Sequence, residues 1–190
     1  MSESTIFLEE RLRKEGEKVQ VFFQQFALCG WDQEVYSAPA GSVDNLDPSP
    51  EKSKNWRVRE VLAHLVATES GIAGLIKDVA CGGAGAPEGH DIDAYNQQKI
   101  SELQNQSFGE LLSQFTALRQ KTIDLGSTFS EADLNRTGRH PFLGMVKIVE
   151  MIKLLYLHNQ LHIRDLRRII QEPCVPQGKP SVPQEESAVS

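Results

Sequence analysis

An all-α four-helix bundle with long crossover loops is the fold this sequence predicts, on three observations. Four long stretches repeat apolar side chains at three-, four- and seven-residue spacings with charges between them. No segment alternates apolar and polar residues strictly, or clusters β-branched residues, as strands do. The segments between the helical stretches are polar and rich in glycine and proline, so they separate elements rather than extend them.

The first helix is expected over residues 5–28, where Leu8, Leu12, Val19, Phe22, Phe23 and Phe26 fall at helical spacing. Residues 30–55 carry Pro39, Gly41, Pro48 and Pro50 among scattered serines and aspartates, a loop too long for a compact domain unless it covers something. It is a candidate lid. The second helix should open near Ser53 or Asn55, either of which can cap free amides, and run to about Ala80 with Val61, Leu65, Thr68, Ile72, Leu75 and Val79 facing inward.

CGGAGAPEGH then ends that helix, because four glycines and a proline cannot continue it. The run lacks both G-x-x-x-x-G-K-[ST] and a strand-borne G-x-G-x-x-G, which argues against a phosphate cradle. Asp91 or Asp93 can start a further helical stretch, and Ser107 with Glu110 three residues on makes a capping box for the third long helix. SEADLNRTGRHPFLG should stay irregular. The last helix is expected from about Met145 to Gln171, stopping before Pro173. One domain over residues 1–172 and a flexible tail over 173–190 follow, with no internal repeat.

Charge and composition narrow the function classes. Lys plus Arg number 20 against 26 Asp plus Glu, net −6 with pI near 5.4, and no basic run could neutralise a phosphate backbone, so nucleic acid is not an expected partner. No eighteen apolar residues run together, and the N-terminus lacks the features of a secretory leader, so the expectation is a soluble, cytoplasmic protein without a membrane partner. Cys29, Cys81 and Cys174 are odd in number and lack C-x-x-C pairing, which argues against a disulfide framework and a cysteine zinc site. They read as reduced, structural thiols; a reactive Cys81 beside the glycine run is the sharper alternative.

The chemistry concentrates in YLHNQLHIRDL. At 100° per residue His158 and His162 lie about 40° apart around the helix and ~6 Å apart along it. Met151, Leu154, Leu155, Leu161, Leu166 and Ile169 fall within roughly 80° of His158 on the same wheel, so the pair sits mid-stripe and points into the bundle. Two inward imidazoles without partners would cost a few kcal/mol, and a shared divalent cation would satisfy both as neutral bases.

His64, among Val61, Leu65, Thr68, Ile72 and Leu75, offers a third inward nitrogen from the second helix. Three such donors leave coordination positions open, as catalytic sites do. His90 and His140 lack an amphipathic context and read as turn or solvent residues. Asp165 could orient an imidazole or form a salt bridge with Arg57 or Arg168. Glu60 and Glu69 are candidate bases should either face inward, although surface glutamates are common on helices.

These segments resemble a known family. NWRVREVLAHLVATES is similar to the W-s-x-x-e-v-l-x-H-L-x-x-x-E segment, and GRHPFLG followed by EMIKLLYLHNQLHIRDLRRI to the H-P-x-x-G and H-x-x-x-H segments, of DinB/YfiT-like proteins. DAYNQQKISELQNQSFGELL resembles that family's asparagine-containing third-helix entry. The resemblance spans most of residues 1–172 and implies a four-helix bundle holding a divalent metal on three histidines, which here would be His64, His158 and His162. Members include thiol-dependent isomerases, thiol S-transferases using low-molecular-weight thiols, and proteins described as metal-dependent hydrolases.

The expectation is therefore a metal-dependent hydrolase or thiol S-transferase acting on a small molecule, with a low-molecular-weight thiol as a candidate partner. Which residue serves as catalytic acid or base is open. A non-catalytic, metal-stabilised stress or interaction bundle is the alternative. Three imidazoles suit zinc or nickel, and iron, manganese or cobalt could fill the same cage. The aromatic-rich first helix is a candidate homodimer surface.

Overall fold

The structure, a computed structural model, describes residues 3–26, 34–35 and 56–170. Apart from Glu34 and Val35, the expected lid over 30–55 lies outside the described residues, as do Cys29, Cys174 and the expected tail.

Six helices and two short hairpin pairings are described: α1 (Glu3–Gln24), β1 (Glu34–Val35), β2 (Trp56–Arg57), α2 (Val58–Ala80), α3 (Ile92–Glu102), α4 (Phe108–Ser127), α5 (Glu131–Leu134), β3 (Thr137–His140), β4 (Gly144–Lys147) and α6 (Ile148–Ile169). The long helices α1, α2, α4 and α6 form a four-helix bundle in which α1 and α2 stand at opposite corners, each packed on both α4 and α6. The chain must therefore cross the bundle between α1 and α2 and again between α4 and α6. The longest connection, between α1 and α2, is one of these crossings, whereas the α2–α4 connection, which carries α3, is longer than the α4–α6 crossing although it joins packed neighbours.

Local signals place most helix ends. Asp91 caps α3 by accepting the Ala94 amide at 2.9 Å. Ser107 and Glu110 exchange side-chain and backbone hydrogen bonds at the start of α4, the capping box expected there. α2 departs from expectation: it opens after Arg57, not at Ser53 or Asn55, because Trp56 and Arg57 pair antiparallel with Val35 and Glu34. The Glu60 carboxylate accepts the Arg57 amide at 2.7 Å, so Glu60 closes this helix end and is no free base.

The segment expected to be irregular holds a short helix and a β-hairpin, and the last helix starts three residues later than expected. β3 and β4 pair from Thr137 with Lys147 to His140 with Gly144, leaving Pro141, Phe142 and Leu143 as the loop. Gly144, at φ +74°, takes the left-handed conformation that lets a three-residue loop close. Eight residues of paired strand are too few to show period-two alternation in a chain dominated by helical spacing.

The glycine run is tied to this hairpin. Ala84 O accepts the Arg139 amide and Arg139 O accepts the Ala86 amide, both at 2.8 Å. Gly85, at φ +84°, lies so close that a Cβ there would run into the Arg139 carbonyl. Glycine is needed here for both conformation and approach.

Two apolar clusters fill the bundle, one around Phe23, Leu62, Phe108 and Phe115, the other around Leu12, Ile76, Met151 and Leu155. Between them runs a layer of buried polar side chains: Glu69, Arg119, Thr122, Asn159 and three histidines. No helix among the described residues is long and apolar enough to cross a membrane.

Candidate metal centre

His64 on α2 and His158 and His162 on α6 converge in this layer, exposed by only 2%, 8% and 0%. One nitrogen from each ring lies within 4.8 Å of the others. His158 Nε2 stands 3.1 Å from His64 Nε2 and 3.0 Å from His162 Nε2. Helix geometry explains the second contact, since residues four apart share a face; the packing of α2 against α6 supplies the first.

The arrangement makes poor sense as ordinary hydrogen bonding. A neutral imidazole nitrogen carries either one proton or one lone pair, and His158 Nε2, faced by two ring nitrogens, would have to divide that one proton or lone pair between them. A shared cation removes the conflict, because all three lone pairs then point at it. Tetrahedral zinc at about 2.0–2.1 Å from each nitrogen would set neighbouring nitrogens roughly 3.3–3.4 Å apart, close to what is observed. The side chains fit a divalent ion bound through Nε2, with each proton on Nδ1. All three Nδ1 atoms are buried with no partner among the described residues.

Burial holds the rings neutral. Desolvation first, then the neighbouring imidazoles, push His64 and His158 well below the usual histidine range. Desolvation lowers His162 to about 4. Neutral nitrogen is the form that ligates a metal. The Trp56 ring packs 5.0 Å from that of His64 and closes one side of the cluster.

A cavity of about 290 Å³ opens on the other side, with His64 and His158 in its wall. Ile72, Leu75, Ile92, Leu154, Leu161 and Phe142 make the wall mostly apolar, and Thr68, His90, Tyr95, Asn96 and His140 add polar groups. Thr68 Oγ1 lies 3.4 Å from His64 Nε2. Among the described lining residues no side chain is charged.

Two histidines set aside on sequence grounds belong here. His90 and His140 both line the cavity, and His140 is buried. Folding of β3 onto β4 turns the His140 ring inward, where its Nδ1 accepts the Phe142 and Leu143 amides at 3.1 and 3.2 Å. Burial lowers its pKa to about 4. The sequence signal was the turn itself: His-Pro-x-x-Gly, with an acceptor side chain two and three residues ahead of free amides.

Other candidates fall away from the site. Glu69 is buried, but its carboxylate binds Arg119 and Thr122 at 2.7 Å each, so it is committed as a structural partner. Asp165 pairs with its neighbour Arg164, at 3.3 Å, in an exposed surface contact. Cys81 is exposed at the end of α2 rather than packed in the core.

A family model described as the DinB superfamily matches residues 25–166. Among solved structures, the chain resembles YfiT from Bacillus subtilis, described as a probable metal-dependent hydrolase with an unusual four-helix bundle topology, at TM-score 0.64 and 17% identity over 90% of this chain and 89% of that one. It also resembles an uncharacterised protein from Escherichia coli UTI89, at TM-score 0.60 and 15% identity over 90% and 95% of the two chains. The mycothiol-dependent maleylpyruvate isomerase matches at TM-score 0.55 and 17% identity over 84% of this chain and 60% of its own. No curated protein matches the chain.

Proposed function

The chain belongs to the DinB superfamily, and from that premise we propose that it is a metal-dependent enzyme whose divalent cation is held by His64, His158 and His162. The observation that carries the reading is the meeting of three Nε2 atoms beside an apolar cavity, with His64 and His158 in its wall. A closed structural site would surround its metal with protein, whereas three ligands beside a void leave room for a nucleophile and a substrate. Bound there, the cation would lower the pKa of a water or a thiol and so supply hydroxide or thiolate at neutral pH.

Two chemistries use that arrangement, hydrolysis and transfer of a low-molecular-weight thiol. The cavity favours the second: among the described lining residues there is no carboxylate to serve as a base toward water. The protein's own part is to keep the imidazoles neutral, exclude bulk water with Ile72, Leu75 and Leu161, and hold a small organic substrate against the cluster. Zinc or nickel suits three imidazoles best, with iron, manganese and cobalt as further occupants.

Protein purified without affinity nickel should carry close to one divalent ion per chain, read by elemental analysis, and His158→Ala should lose it. Wild type and His158→Ala are then compared on electrophiles offered with glutathione-, bacillithiol- or mycothiol-like thiols, and on ester and amide substrates. Metal-dependent turnover with a thiol supports transfer, and turnover of esters or amides without one supports hydrolysis. Bound metal with no turnover across the panel would instead favour a non-catalytic, metal-stabilised bundle.

A further inference from the structure

We propose that His140 presents its Nε2–H to the cavity as the hydrogen-bond donor for an uncharged substrate bearing a carbonyl-type oxygen. The proposal rests on reading the cavity as the substrate site and goes on to name the group that would orient what binds there.

The tautomer follows from the hairpin. Nδ1 accepts two backbone amides, Phe142 at 3.1 Å and Leu143 at 3.2 Å, so it must carry a lone pair and the ring proton resides on Nε2. That Nε2 is buried, has no partner among the described residues, and belongs to a ring that is 4% exposed and lines the cavity. A buried N–H without an acceptor is costly, and a ligand oxygen would satisfy it. The β3–β4 turn holds the ring still, so little is lost in ordering it on binding.

The substrate class follows from the wall. No Asp, Glu, Lys or Arg lines the cavity among the described residues, and Ile72, Leu75, Ile92, Leu154, Leu161 and Phe142 dominate it. An anionic substituent placed against such a surface would be desolvated without a counter-charge. A cation at the histidine cluster can balance one anion beside itself, the nucleophile, and nothing in the wall balances a second. An aryl or alkyl ketone, ester or amide satisfies both the apolar wall and the His140 donor.

Asparagine and glutamine separate the two jobs of the ring. Asparagine places an oxygen near the position of Nδ1, so His140→Asn keeps the turn acceptor and deletes the cavity donor. Glutamine reaches the position of Nε2, so His140→Gln keeps a donor and loses the turn acceptor. The probes are acetophenone, ethylbenzene as the isostere without an acceptor, and 4-acetylbenzenesulfonate as the charged ketone, each titrated into zinc-loaded protein by nuclear magnetic resonance.

Acetophenone should bind His140→Asn about three- to tenfold more weakly than wild type, the range of one net hydrogen bond. Ethylbenzene affinity should be unchanged, the sulfonate should bind wild type at least roughly tenfold more weakly than acetophenone, and zinc content should stay the same. His140→Gln should retain more acetophenone affinity than His140→Asn. Equal losses for acetophenone and ethylbenzene, or a sulfonate that binds as well as the neutral ketone, would overturn the proposal. Loss of zinc from His140→Asn would also overturn it, since His140 would then act on the metal site. Should the variants not fold, 15N spectra of wild-type histidines decide: protonated Nε2 with an acceptor Nδ1 is required, and the opposite tautomer excludes it. Wild type that binds acetophenone selectively but holds no zinc would refute the metal reading alone.

Discussion

Removing Glu69 should destabilise the bundle more than removing any surface charge, because it strands a buried guanidinium. Arg119 Nη2 lies 2.7 Å from Glu69 Oε2, with side chains 4% and 1% exposed. Thr122 donates to the other carboxylate oxygen at 2.7 Å, and Arg119 Nη1 donates to Leu12 O at 3.1 Å. Asn159, with its amide oxygen toward Arg119, accepts a further hydrogen bond at 2.6 Å. Four helices thus share one charged network.

Glu69→Ala leaves the Arg119 charge with neutral acceptors only, which should cost about 3–5 kcal/mol. At 2–4 °C per kcal/mol for a chain of this size, Tm should fall by roughly 6–20 °C. The double variant Glu69→Leu with Arg119→Met removes both charges and should recover about 1–3 kcal/mol relative to the sum of the singles, read from urea melts followed by circular dichroism. A Glu69→Ala loss below about 1 kcal/mol, or a double variant additive within about 0.5 kcal/mol, would refute the claim that the pair is desolvated and coupled.

Chelation of the metal should lower Tm, and zinc at a hundred times its Kd should restore about 2.7 kcal/mol, roughly 5–10 °C, in wild type and nothing in His162→Ala, by scanning calorimetry. The same titration should change Trp56 emission, since its ring lies 5.0 Å from that of His64. For metal-free protein, His140 and His162 titrate at about 4 when folded against a usual 6.5. The unfolded chain therefore binds more protons between those values, and stability present above about pH 6.5 is lost as pH falls through about 4, by up to roughly 3 kcal/mol per ring. Urea midpoints unchanged between pH 7 and 4.5 would contradict this. Gly85→Ala forces a side chain into left-handed backbone and against the Arg139 carbonyl, and should cost more than about 1 kcal/mol; a normal melting curve would show that the glycine loop does not depend on that approach.

Much of this protein was legible one helix at a time. The spacing of Phe22, Phe23 and Phe26, the Ser107–Glu110 box and the four-residue step from His158 to His162 are local regularities, and helix geometry alone turns them into faces, ends and a pair of imidazoles on one side of a helix. His64 could likewise be placed on an inward stripe, because amphipathicity reports burial without reference to a partner. The local pattern also showed that Glu60 and Glu69 belonged to the histidine's helix, without saying what either carboxylate would meet.

Those meetings were decided by packing. Glu60 closes a helix end because Trp56 and Arg57 were drawn into strand pairing with a segment more than twenty residues earlier. Glu69 faces Arg119 because α2 packs on α4. His140 looks like a loop residue until β3 folds onto β4 and docks on the glycine run, which buries it in the wall of a cavity built from distant elements. Periodicity describes one element's relation to an unspecified interior, whereas the identity of a contact depends on long-range closure. Which residues face inward could be read from the chain; which of them meet became visible only in the folded molecule.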